Sequence, residues 1–285
     1  MKTCNYLEDT AFRGGFKVHG PHHEDGYWAT YPGDEGVEQR WELCEWGTYK
    51  HPLDPVTPRT DTADGFHYDT PSCTVSVPGE EGDVRLELRT TREYEGYIRK
   101  EGEDWPHLLA QQGFRWQQLP ALGELKELRY HAQFRLAYCD NHMDMTKFVP
   151  TEHFAQTHHY FTCNDVQAGD YFWFGIPYFD TRYPLFPGYL NIDKGKADAT
   201  GKMIRTVPQP QLTDTSVLDG KWVTYDFDML PLLREAYDTA KEAGVLAGCE
   251  FDRMVLTGTN IGFEMFAEFD AAIEMRDMSL TGVLK

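Results

Sequence analysis

The sequence predicts an all-β protein: a two-layered antiparallel β-sandwich of jelly-roll type with one helix inserted near residues 230–244. Three observations predict it. Apolar residues recur with period two through much of the chain, as where Tyr130, Ala132, Phe134, Leu136 and Tyr138 alternate with His131, Gln133, Arg135 and Cys139. Phe, Trp and Tyr make up 14% of the residues, and aromatic side chains suit a pleated, half-buried surface. Helical spacing occurs once with both of its end signals: Leu232, Leu233, Ala236, Tyr237 and Ala240 recur, Pro231 opens the run and Gly244 closes it. At 285 residues, one elaborated domain over 1–285 is expected, because sandwiches reach this size as single units.

The elements follow in order. Residues 1–70 read as an irregular N-terminal arm packed on the sandwich, since Pro, Gly, Asp and His punctuate aromatic pieces such as HHEDGYW (22–28) and QRWELCEWGTYKHP (39–52). Only short strands near 39–46 are expected there. SCTVSV (72–77) and VRLELRTTR (84–92) are strands joined by a PGEEGD turn, and HLLAQQGFRWQQ (107–118) is a third. Strands over 125–139, 154–163 (FAQTHHYFTC) and 170–180 (DYFWFGIPYFD) come next, the last apolar enough to be covered on both faces. A Gly-, Pro- and Asp-rich excursion over 181–220, with a strand at KMIRTV (202–207), is long enough to be functional or lid-like. KWVTYDFD (221–228), the helix, and two long strands over 252–266 and 269–283 complete roughly nine to twelve strands.

Charge narrows the partners. Lys and Arg number 27 against 46 Asp and Glu, a formal net charge of −19, so nucleic acid, anionic membranes and strongly acidic polymers are repelled. A neutral carbohydrate is compatible. The start, Met1 to Asp9, has no apolar leader, and no run approaches the ~18 apolar residues of a membrane span, so a cytoplasmic location is expected. Cys4, Cys44, Cys73, Cys139, Cys163 and Cys249 are widely spaced without a C-x-x-C pair, which predicts buried, reduced thiols and no zinc site. HHED (22–25) lacks metal-site spacing, no calcium loop is present, and phosphate-binding glycine loops and a G-x-S-x-G elbow are missing, so no metal and no cofactor are expected.

WFGIPYFDTRY (173–183), DKGKADATGKMI (193–204), DGKWVTYDFD (219–228) and NIGFEMFAEFDAAIEMRDMSL (260–280) stand in an order that resembles concanavalin-like and carbohydrate-binding-module-like jelly rolls of bacterial glycan-utilisation proteins. The resemblance is one of pattern over about residues 125–285. It implies a sugar ligand on the concave sheet face or at loops on the sandwich edge. The E-x-D-x-x-E cluster of jelly-roll glucanases is missing from the sequence.

Candidate side chains fall on two strands and two junctions. His131, Gln133 and Arg135 share one face of 125–139, and Gln156, His158 and Tyr160 share one face of 154–163; were the two strands to pair, these would form a patch of donors and acceptors for sugar hydroxyls. Trp173 offers a platform, Arg182 and Asp180 sit at the start of the excursion, and Glu264 shares a strand face with Asn260. Asp180 with Glu264 is the carboxyl pair that glycoside hydrolysis would need, while a lyase would draw on His158, Tyr160 and Arg135. The reading placed first is recognition of a neutral glycan; the alternatives are a glycoside-processing enzyme, hydrolase before lyase, and an assembly protein without a small ligand. A shallow aromatic platform would mark the binder. A deep cleft holding a perturbed carboxyl or histidine would mark the enzyme.

Overall fold

The computed structural model describes residues 2–194 and 200–285; positions 195–199, within the DKGKADATG stretch, and Met1 lie outside the described residues. Seventeen strands are found in the described residues: β1 (Thr3–Asn5), β2 (Gly15–His19), β3 (Tyr27–Pro32), β4 (Trp41–Cys44), β5 (Arg59–Asp61), β6 (Phe66–Asp69), β7 (Cys73–Val77), β8 (Val84–Arg89), β9 (His107–Gly113), β10 (Leu125–Asn141), β11 (Ala155–Asp165), β12 (Asp170–Asp180), β13 (Tyr189–Ile192), β14 (Met203–Thr206), β15 (Val223–Asp228), β16 (Val255–Met265) and β17 (Phe269–Leu284). The helices are α1 (Thr91–Tyr94), a single turn, and α2 (Leu230–Glu242).

The strands form two sheets packed face to face, a jelly-roll-like sandwich. One has eight strands, in the order β15-β10-β17-β8-β7-β6-β5, with β1 also pairing to β17. The other has nine, in the order β13-β14-β12-β11-β16-β9-β4-β2-β3. Pairing is antiparallel except between β12 and β14 and between β2 and β4.

The expected irregular arm is corrected here: residues 1–70 supply six strands, β1 to β6, shared between the two sheets. Phe16, Val18, Trp41, Leu43, Phe66 and Tyr68 from this region are buried. Each strand is only three to six residues long, too short for alternation to stand out among the turn residues. Two strand ends are also shorter than expected. The strand from Val84 stops at Arg89, where Thr90 begins the α1 turn, and that from His107 stops at Gly113 before a 3-10 turn at Trp116–Gln118.

β12 is covered on both faces from Phe174 to Asp180, as its run of apolar residues predicts. In β10 the alternation is direct: Tyr130, Ala132, Phe134 and Leu136 are buried and the intervening side chains are not. The face that β10 buries meets β11 and β12 across the sandwich. Phe134 stacks on Tyr178 with centroids 4.3 Å apart, and Tyr130 hydrogen-bonds both Tyr178 and Nδ1 of His159. Burial pushes the His159 imidazole down to about 3, so it sits in the core as a neutral ring.

α2 lays Leu233, Ala236, Tyr237 and Ala240 on the body of the protein. Its end is closed by Gly244 at φ +78°, with the Val245 N–H donating to the Ala240 carbonyl and the Gly244 N–H to that of Lys241, a Schellman closure. Among the described residues no helix is long and apolar enough to cross a membrane.

Candidate functional site

A cleft of about 840 Å³ lies over the outward face of the nine-stranded sheet. Its floor is set by strand register, because residues paired across antiparallel neighbours project to the same side. One rung carries His107, Glu264 and Gln156 from β9, β16 and β11. The next carries Leu109, Gly262 and His158, and the third Gln111, Asn260 and Tyr160. Trp46 and Trp105 stand at one side, and Tyr183, Phe186 and Tyr189 from the 181–220 excursion stand at the other. That excursion adds β13 and β14 to the sheet and so builds a wall of the cleft.

Two glycines keep the floor open. Gly262 has φ +153°, and a Cβ there would lie 2.1 Å from the Leu108 carbonyl oxygen, so no other residue fits between β16 and β9. A Cβ on Gly175 would lie 2.6 Å from the Tyr160 ring. Its absence lets Tyr160 lie across β12.

Glu264 is the charged centre. Gln156 donates to its Oε2 at 2.5 Å, and Nε2 of His107 lies 3.4 Å from its Oε1. The His107 ring is held from behind, with Nδ1 at 3.0 Å from the Trp46 carbonyl and 2.8 Å from that of Trp105. Carbonyls only accept, so Nδ1 carries a proton and the ring orientation is fixed. Burial by itself would raise the Glu264 carboxyl; the hydrogen bond and charge of His107, the Gln156 amide and the nearby His158 outweigh it and hold the group at about 2. Glu264 is therefore a carboxylate at neutral pH.

His158 lies beside it, buried and pressed against Phe186 at a centroid distance of 4.9 Å. Its Nδ1 is 2.9 Å from the Tyr160 hydroxyl, which is 2.7 Å from the hydroxyl of Tyr189. Nε2 is buried and has no partner among the described residues. Burial pushes this imidazole down to about 4, against the pull of Glu264 and Asp180, so it is a neutral ring in a line of phenols. Burial raises the Tyr160 phenol well above its ordinary value and keeps it protonated.

Asp180 is differently placed. Arg182 engages both of its oxygens, Nε at 2.9 Å from Oδ1 and Nη2 at 2.6 Å from Oδ2, and the Arg182 N–H also donates to Oδ1. The guanidinium then lies 3.5 Å from the Phe154 ring centroid. This pair fastens the start of the excursion, and the carboxylate is fully enclosed.

Of the side chains singled out in the sequence, the cleft lining gathers Gln156, His158, Tyr160, Trp173, Arg182, Asn260 and Glu264. His131, Gln133 and Arg135 lie elsewhere. The strands 125–139 and 154–163 do not pair: β10 pairs with β15 and β17, and β11 with β12 and β16. The three side chains project from the outward face of the other sheet, where Gln133 bonds Arg276 and Asp277, and Arg135 is ion-paired to Glu81 and Glu274. Sequence reading missed His107, Gln111, Trp46 and Trp105. His107 and Gln111 carried a usable signal, since positions 107, 109 and 111 of one strand share a face. The tryptophans come from loops and carried none.

No protein-family model matches the chain, and no curated protein does. Solved structures do. A family 12 xyloglucanase from Bacillus licheniformis, in complex with ligand, is similar at 6% identity and a TM-score of 0.48, covering 80% of this chain and 97% of its own. An endoglucanase from Rhodothermus marinus is similar at 12% identity and 0.40, with 80% and 97% covered. A family 11 xylanase from Neocallimastix patriciarum is similar at 8% and 0.40, with 87% and 97% covered. At these identities and scores no residue role passes from them to this chain. Among the described residues no group of three or more His, Cys, Asp and Glu is arranged to hold a metal ion, and all six cysteines are free.

Proposed function

We propose that this protein is a glycoside-processing enzyme that takes an uncharged oligosaccharide into the cleft and acts on it at Glu264. The observation that carries the proposal is the partly buried Glu264 carboxylate on the floor of the cleft, bonded by the Gln156 amide, 3.4 Å from Nε2 of His107, and held down at about 2. A shallow binding platform has no use for such a group. As a carboxylate, Glu264 supplies the nucleophile, the base or the charge that stabilises an oxocarbenium-like centre. The protonated phenol of Tyr160, hydrogen-bonded to His158, is the proton-bearing group on the same floor. Trp173, whose ring neighbours Tyr160 and Tyr171 meet it edge to face, offers a face against which a sugar ring packs, while Trp46, stacked on His23, and Trp105, stacked on His107 and Phe266, line the cleft beside it.

The reading does not rest on an Asp180 and Glu264 carboxyl pair, because Arg182 engages both oxygens of Asp180. A uronate-cleaving lyase fits less well, since Glu264 repels an anionic sugar and Arg135 is on the other sheet. A second reading, recognition without chemistry, is favoured by the commitment of Asp180 to Arg182.

The test is a thermal-shift series against neutral oligosaccharides with reducing ends measured in the same samples. A shift with product, the product lost in Glu264→Gln while the shift persists, supports the enzyme. A shift without product leaves recognition alone. No shift with any sugar removes both.

A further inference from the structure

The cleft floor contains a second polar centre, distinct from Glu264. On the third rung, Glu42 of β4 continues the line of Gln111, Asn260 and Tyr160. Its carboxylate accepts from Nε2 of Gln111 at 2.7 Å, lies 3.1 Å from Nε2 of His19, and is bonded by the Tyr27 hydroxyl. Glu42 thus repeats the Glu, His and Gln grouping of Glu264, His107 and Gln156, and a further hollow lined by Glu42, Gln111, Trp173 and Asn260 adjoins the main cleft.

The two centres differ in what they leave open. Around Glu42 the carboxylate is satisfied, and its work is to fix the Gln111 side chain. Between Glu42 and Tyr160, the Asn260 side-chain amide makes no hydrogen bond to the described residues, although it lies in the floor of both hollows. An amide with two donors and an acceptor, held over a flat sheet beside an indole, is suited to a sugar's vicinal hydroxyls. Asn260 is four residues from Glu264 on the same strand, about 13 Å at a strand's rise per residue. Gly262 lies between them and strips the floor to backbone.

We infer that the Asn260, Gln111 and Trp173 end of the floor is a second sugar subsite, so that the cleft takes an extended uncharged oligosaccharide gripped at two places rather than a mono- or disaccharide. Glu42 is a positioning residue for this subsite, acting through Gln111. The inference rests on the carbohydrate reading of the same cleft and specifies its ligand.

The test is calorimetric titration of the intact protein with neutral glucose, xylose and mannose oligosaccharides, each from monosaccharide to hexasaccharide. Affinity is expected to climb with length in the series that binds. Asn260→Ala is expected to weaken the hexasaccharide about tenfold, the scale of one or two hydrogen bonds, while leaving the shortest binding sugar within about twofold. Glu42→Gln should weaken the hexasaccharide less, and Asn260→Ser should fall between Asn260→Ala and the unaltered protein; unchanged melting temperatures exclude misfolding as the cause. Equal affinity for short and long sugars, or Asn260→Ala binding the hexasaccharide as well as the unaltered protein does, overturns the second subsite and leaves the Glu264 centre standing. Binding of no sugar in any series overturns the carbohydrate reading itself.

Discussion

The two sheets both turn polar side chains outward, and they use them in opposite ways. On the eight-stranded sheet the charges are spent on one another: Arg85 and Arg89 both bond Glu87, Arg129 bonds Asp226, and Arg135 bridges Glu81 and Glu274. On the nine-stranded sheet the Glu264 and Glu42 carboxylates are each set among rings and amides, and polar atoms such as His158 Nε2 and the Asn260 amide are left without partners among the described residues. The first face carries more charge and the second holds the candidate site. Charge density does not mark a functional surface; enclosure of polar groups that are only partly satisfied does.

Several measurements would break or sharpen this contrast. The largest effect is expected from Glu264→Gln, which should cut turnover at least a hundredfold and also lower the unfolding free energy at neutral pH, because the carboxylate held by His107 and Gln156 is lost, read by product assay and urea denaturation. Next is Glu274→Ala on the opposite sheet. It leaves Arg135 without its enclosed partner and unpins the turn whose Glu80 N–H donates to the carboxylate at 2.7 Å, so a loss of about 3 kcal/mol is expected with sugar affinity unchanged. Should Glu274→Ala and Glu264→Gln alter sugar handling equally, the division of labour between the sheets is wrong.

Gly262→Ala should cost about 2 kcal/mol and reduce binding as well, because the Leu108 carbonyl must move to admit a Cβ. A pH titration of stability comes next. His158 and His159 are held at about 4 and about 3, below the ordinary 6.5, so between those values the unfolded chain takes up protons that the folded chain refuses. Stability is full above pH 6.5 and falls as the pH drops through this window. Glu264 adds a loss of its own from 4.5 down towards about 2. His158→Gln should flatten part of the slope. The smallest effect is expected from His131→Ala, a half-exposed residue 3.8 Å from Asp226, which should change stability by less than about 0.5 kcal/mol and leave sugar affinity untouched.

Much of the sandwich was legible because its long strands bury one face or, in β12, both. β10, β12, β16 and β17 are eleven to seventeen residues long, so alternation or unbroken apolarity is sustained well beyond chance. The short strands among residues 1–70 were not legible, because each contributes only two or three buried residues and is stabilised by neighbours distant in sequence. β4 is held by β9 and β2, and β1 by β17 at the other end of the chain. The candidate site divides similarly. Gln156, His158 and Tyr160 could be grouped from the period of one strand, as could Asn260 and Glu264. That these two groups lie side by side, with His107 alongside, could not.

By itself the sequence determined the fold class, the lone multi-turn helix and the face of each long strand that meets the core, because these follow from local spacing of apolar side chains and from the signals that end a helix. Only the tertiary structure decided which strands are neighbours. Period-two alternation is the same whether a strand's polar face looks over β16 or over β17, so the sequence allowed His131, Gln133 and Arg135 to join the site as readily as His107 and Gln111. Sheet order separated them. It placed β10 across the core from β11, and it set the Glu264 carboxylate between an imidazole and an amide contributed by strands more than a hundred residues earlier in the chain.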